Sequence, residues 1–223
     1  MAAMMVVAAC GGAAATSGAN MGSQEASTGS ETTSPTLTDE ERAMPRPEAL
    51  NEPDYGAQIA RYESACTAGS ARACGYLAAM LDNGWGAEPD ERRSLELAST
   101  ACERLDSYAC NQLAYMYQVG RGVPEDAERA AQIYAAQCAR ADAEACLHMG
   151  IMYRIGSGLP RDAVRAVAMF QRACDGGDAL GCSSLGYMYQ VGEGVTLDEA
   201  RAQQYFRQAC DRGDDIGCFE AHR

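Results

Sequence analysis

From Cys74 onward the apolar positions recur on two scales. Within short stretches they fall at i, i+3 and i+4, as at Leu113, Met116 and Tyr117, the spacing of one helix face. Over longer stretches the same arrangement returns every 36 residues without a gap, giving four full units at 74–109, 110–145, 146–181 and 182–217. A half unit, 54–73, precedes them and a stub, 218–223, follows. Met80, Met116, Met152 and Met188 occupy one register, and each unit carries a G-x-G pair: Gly84 with Gly86, Gly120 with Gly122, Gly156 with Gly158, Gly192 with Gly194. The first glycine of each pair ends a helix, because it takes the left-handed cap conformation at low cost. An aspartate then opens the next helix as N-cap acceptor, at Asp90, Asp126, Asp162 and Asp198. Each unit therefore reads as helix A, a loop, helix B and a tight turn, and the turn holds a further periodic aspartate at 106, 142, 178 and 214. The expected architecture is all-α: antiparallel helix pairs stacked into a solenoid with a continuous core.

Ten of the eleven cysteines follow the same period as C-x7-C pairs. Eight residues along one continuous helix separate Cα atoms by about 12 Å, beyond the roughly 7 Å a disulfide tolerates. The chain must reverse between the two, and the expected turn from helix B to the next helix A lies there. The pairing expected is Cys66 with Cys74, Cys102 with Cys110, Cys138 with Cys146, Cys174 with Cys182, and Cys210 with Cys218. Short rings of this kind contribute roughly 2 to 3 kcal/mol each in the chain-entropy model and persist outside the reducing cytosol. Metal binding competes poorly as a reading, since C-x7-C is not the usual zinc spacing and only two histidines exist.

The runs LAYMYQVGRGVPEDAERAAQIYAAQC and LGYMYQVGEGVTLDEARAQQYFRQAC resemble the Sel-1-like repeat, a relative of the tetratricopeptide repeat. Period, glycines, aspartates and cysteines agree together over about 165 residues, and the cysteine pairs are similar to those of a cysteine-rich secreted bacterial subgroup. The resemblance implies a superhelix used for contacts between proteins. It also implies an alternative, an enzyme acting on β-lactams or peptidoglycan fragments, since some cysteine-rich members have been described as penicillin-binding or β-lactamase proteins.

Ahead of the repeats the composition changes. Residues 11–53 are rich in Ser, Thr, Gly, Ala, Pro and acids with few large apolar side chains, and are expected to form a disordered tether. Residues 1–10 end in Val7-Ala8-Ala9-Cys10, which resembles the lipobox of a bacterial lipoprotein and makes Cys10 the expected lipidation site. The basic n-region and longer apolar run of a signal are missing, so the true start is expected upstream of Met1; a chance apolar leader is the competing reading.

The net charge of −13 argues against a basic face for nucleic acid or an anionic membrane. All eighteen cations are arginine, so no Ser-x-x-Lys nucleophile exists. His148 and His222 alone cannot complete a catalytic metal cluster. No catalytic residue, cofactor or metal is assigned, and the G-x-G pairs lack the strand-to-helix setting of a phosphate site.

A concave face is where solenoids bind partners. On helix A, positions that vary between units while the core holds form a stripe: Tyr76 and Ala79, Gln112 and Tyr115, His148 and Ile151, Ser184 and Tyr187, extended by Gln118, Arg154 and Gln190. Tyr115 and Tyr187 either line this groove or pack between helices. The expected role is a monomeric, non-catalytic module of the bacterial envelope that holds a protein or peptide partner and touches membrane only through its lipid.

Overall fold

The computed structural model describes residues 38–49 and 54–223; Cys10 and most of the expected tether lie outside them. After a short helix α1 (Asp39–Ala43) and a 3-10 turn (Pro47–Ala49), ten helices follow as antiparallel pairs: α2 (Tyr55–Thr67), α3 (Ala71–Asn83), α4 (Glu91–Glu103), α5 (Ser107–Val119), α6 (Ala127–Ala139), α7 (Ala143–Ile155), α8 (Ala163–Asp175), α9 (Ala179–Val191), α10 (Glu199–Asp211) and α11 (Asp215–Ala221). Among the described residues there is no strand. The even-numbered members are the B helices, and α3, α5, α7, α9 and α11 are the A helices.

The repeat residues act locally as read. Gly84, Gly120, Gly156 and Gly192 end the A helices at φ +69°, +73°, +79° and +68°, each donating its N–H to the carbonyl of the recurring methionine. Asp90, Asp126, Asp162 and Asp198 cap the B helices by accepting from the backbone N–H three residues on. The turn aspartates also cap: Asp106, Asp142, Asp178 and Asp214 do the same for the A helices. The second glycine of each pair serves contact between units. A Cβ on Gly122 would stand 2.7 Å from the Glu91 carbonyl oxygen, so only glycine lets this loop rest on the start of the preceding B helix.

All five expected disulfides form, with Cα–Cα distances of 4.3 to 4.7 Å. Such bridges mark an extracytoplasmic protein. Beside them runs an arginine clamp that links consecutive units: Arg104 donates to the Gly69 carbonyl, Arg140 to Leu105, Arg172 to Cys138 and Arg212 to Cys174. Each guanidinium donates to a carbonyl in or beside the turn that ends the preceding B helix. In the core, Tyr62, Tyr134, Phe170 and Phe206 of the B helices are fully buried. Gly150 and Gly186 of the A helices leave room for the Phe170 and Phe206 rings.

Residues 38–49 correct the expected tether. The Thr38 side chain and Glu41 form a capping box around α1, Ser70 donates to Glu41 at 2.6 Å, and Met44 is 5% exposed in a cluster with Tyr62, Leu77 and Met80. Met44 stands 36 residues before Met80, in the repeat's own register. Buried Met44 and Pro47, the capping box of α1 and the Tyr62 bond to the Pro45 carbonyl order a segment whose average composition reads as disordered. No described helix is long and apolar enough to cross a membrane.

Candidate binding groove

Successive A helices pack on one another, α3 on α5, α7 on α9 and α9 on α11, whereas the B helices are held mainly by their neighbours in sequence. The A helices therefore line the tighter, inner side of the stack, where the stripe was expected. The structure divides that stripe in two.

At the first units the stripe is covered. Tyr76 is only 3% exposed, which corrects its assignment to an open groove: its ring sits edge-on between Tyr62 at 5.5 Å and Tyr108 at 4.8 Å. Ala79 is buried completely. The cover is the segment Met44–Ala49. The Tyr62 hydroxyl donates to the Pro45 carbonyl at 2.6 Å, the Tyr108 hydroxyl donates to Glu48, and the Arg46 guanidinium lies 5.8 Å over the Tyr108 ring.

Further along, the stripe is open. Tyr115 and Tyr187 are exposed; Gln112, Gln118, His148, Ile151, Arg154, Ser184 and Gln190 are half-buried. Three of these also join units. His148 stacks on Tyr134 with centroids 4.6 Å apart, the Arg154 guanidinium lies 5.6 Å over the Tyr187 ring, and Gln190 donates to Glu220 at 3.4 Å. Tyr187 thus packs at one edge while presenting its other face to solvent.

A depression of about 850 Å³ starts where the covering segment stops, bounded by Arg46, Glu48 and Tyr108 on one side and by Glu144, Leu147, His148, Ile151, Asp178 and Leu180 on the other. Tyr108, Glu144 and Leu180 were not in the expected stripe. They lie one turn before Gln112, His148 and Ser184, so carrying the stripe back by i−4 would have reached them. Arg46 and Glu48 had no signal of this kind, because they come from outside the periodic chain.

Burial sets the electrostatics of this depression. The Glu144 carboxyl is pushed up from the ordinary range by desolvation and by the neighbouring Asp142, and Asp178 is raised by desolvation. The His148 imidazole is pushed down by desolvation, which keeps it neutral at physiological pH. The Asn111 amide donates to Asp142 at 3.1 Å, while its own oxygen and the Tyr134 hydroxyl, both buried, have no partner. Among the described residues no group of three or more His, Cys, Asp or Glu is placed to hold a metal ion.

A second depression, about 980 Å³, lies on the disulfide-bearing edge beneath α1 and is lined by Arg61, Arg72, Arg104 and Arg140. Three of those guanidinia are spent on the fold: Arg72 pairs with Asp106, and Arg104 and Arg140 belong to the clamp. It reads as a structural edge.

Comparison with known proteins places this geometry. No curated protein matches the chain. Among solved structures, a protective antigen of uropathogenic Escherichia coli with an SLR fold is 26% identical at TM-score 0.64, over 73% of this chain and 35% of that one. The chain thus spans about a third of that antigen. A Sel1 repeat protein from Oxalobacter formigenes is 25% identical at TM-score 0.65, over 75% of this chain and 72% of that one. An immunity protein of Pseudomonas aeruginosa, 19% identical at TM-score 0.60 over 81% of this chain and 66% of that one, shares the fold. The model of the Sel1 repeat matches residues 71–104, 107–136, 143–178 and 179–214, each spanning a helix pair described above, and by that match the chain belongs to the Sel1 repeat family.

Proposed function

We propose that this chain is a non-catalytic interaction module of the bacterial cell envelope that holds an extended segment of a protein partner on the open half of its A-helix face. Sel1-repeat proteins are generally scaffolds for contacts between proteins. The observation that carries the finer reading is the contrast along one stripe. The chain's own segment lies across the A helices at Tyr76 and Tyr108, and the same face continues beyond it as a depression edged by the exposed side chain of Leu180, with the exposed Tyr187 two turns further along α9. A surface that already accommodates one extended segment is shaped for another. The module acts as a monomer, with Cys10 as its lipid anchor and the residues before Thr38 as its tether.

The test is crosslinking in envelope extract with the disulfide-bonded chain and with a Tyr115→Ala, His148→Ala, Tyr187→Ala triple variant. Specific partners are expected to be lost from the variant while its disulfide map stays intact. Recovery of the same partners by both proteins overturns the groove. For the anchor, Cys10→Ala is expected to release the protein from the membrane fraction; unchanged partition contradicts lipidation.

A further inference from the structure

Resting on that groove reading, we infer that the open half receives a cationic side chain: its occupant is an extended peptide that sets an arginine or lysine among Asp142, Glu144 and Asp178.

The repeat itself shows what these carboxylates lack. In the half unit Arg72, the second residue of α3, pairs with Asp106, the N-cap of the next A helix, at 3.3 Å. Thirty-six residues on, the place of Arg72 is taken by Tyr108, then by Glu144, then by Leu180. Asp142 and Asp178 therefore occupy the position of Asp106 without its guanidinium, and neither they nor Glu144 enters any ion pair among the described residues. Instead, Glu144 faces the negative charge of both aspartates. Like charges held together at a partly desolvated surface favour a cation supplied from outside.

Asn111, 4% exposed, donates its amide to Asp142 and also hydrogen-bonds Glu144, while its own buried oxygen has no partner. That oxygen, like the ionised carboxylates beside it, can only accept. A ligand rich in N–H donors complements it, and a carboxylate or phosphate does not.

The chain's own covering segment supplies the template. Pro45-Arg46-Pro47 is anchored through the Pro45 carbonyl, and Arg46 lies over Tyr108, near enough for its charge to favour the ionised form of Glu144. Beyond it Ile151 and Leu180 line the depression and offer apolar surface for the aliphatic stem of a long cationic side chain. The net charge of −13 adds long-range attraction for such a partner.

The probe is a fluorescein-labelled eight-residue peptide of alternating proline and arginine, compared with the same peptide carrying neutral citrulline in place of arginine. Binding to the full, disulfide-bonded chain is read by fluorescence anisotropy. The arginine peptide is expected to bind at least about tenfold tighter. Glu144→Gln and Asp178→Asn should each weaken it about three- to tenfold, whereas Glu128→Gln and Glu199→Gln, at the starts of B helices, should not. Tyr187→Ala should weaken both peptides alike. Equal binding of the two peptides that Tyr187→Ala weakens leaves the groove standing and overturns the cation receptor. Equal loss in all four acid variants overturns it as well, showing diffuse attraction, as does failure of the arginine peptide to bind; the crosslinking experiment then judges the groove by itself.

Discussion

Tyr76 and His148 hold the same place in the repeat, yet one is sealed between two tyrosines and the other lines an open depression. Their helices, caps and bridges are alike. What differs is the segment laid over the first: Met44 fills the core beside α2 and α3, and Pro45 and Glu48 occupy the tyrosine hydroxyls. Register in a solenoid thus decides which way a side chain points, and the non-repeating chain decides whether it is available. The covered half shows the stable arrangement of a peptide on this face, and the open half shows the same face awaiting one.

Several perturbations sharpen that contrast. The largest attacks what both halves share. Each bridge closes a ring of about nine residues, worth roughly 2.5 kcal/mol in the chain-entropy model, so reduction of all five should abolish the cooperative helical melt at 37 °C. A thermal circular-dichroism midpoint that moves by only a few degrees under reductant would show the helices hold without them. Next, Met44→Ala should cost about 2 to 3 kcal/mol, as for other buried methionines, and should expose Tyr76 and Tyr108 and loosen the edge of the depression that Arg46 and Glu48 form. An unaltered chemical-denaturation midpoint would mean that the covering segment adds nothing to the fold.

A smaller gain is expected at the tight turns. Gly69, Gly177 and Gly213 take positive φ there, but Leu105 and Ala141 adopt φ +66° and +65°. Left-handed backbone costs an L-residue about 1 kcal/mol, so Leu105→Gly and Ala141→Gly should each stabilise by about that amount, read in urea. Loss of stability in both would contradict the strain. The smallest effect is electrostatic and confined to the open half. The Glu144 carboxyl is raised above its ordinary value of 4.5, so its contribution to stability is complete below that value and is lost as pH rises through the raised one. Glu144→Gln, neutral throughout, should therefore be more stable than the parent at pH 7 and differ least near pH 4. A variant less stable at pH 7 would show that the carboxylate already has a partner.

Much of this was legible because the repeat reports each constraint four times over. Cysteines eight apart across a turn, glycine after the A helix and aspartate before the B helix each admit one local geometry, and the structure bears them out. Asp106 and its equivalents were legible as turn residues; that they cap the A helices emerges only when the turn is seen to be so short. Residues 38–49 escaped because composition averages over a window, and a single methionine in register carries little weight against prolines, serines and acids around it. Tyr76 was misplaced for the same reason, since periodicity is silent about a cover that does not repeat. The clamp at Arg104 and Arg140 was hidden because its third position is Gly176, where Arg172 substitutes from one turn earlier.

The most direct test of the two halves is the order in which tyrosines are nitrated in the intact, unreduced chain. Tetranitromethane attacks exposed phenolate, and burial withholds both solvent and charge from the covered rings; desolvation pushes the Tyr62 hydroxyl up to about 12. Peptide mapping should find Tyr115 and Tyr187 modified well before Tyr62, Tyr76 and Tyr108. Modification of Tyr76 or Tyr108 as fast as Tyr187 would show that no segment lies across the first units, and the division of the groove into a filled and an open half would fall.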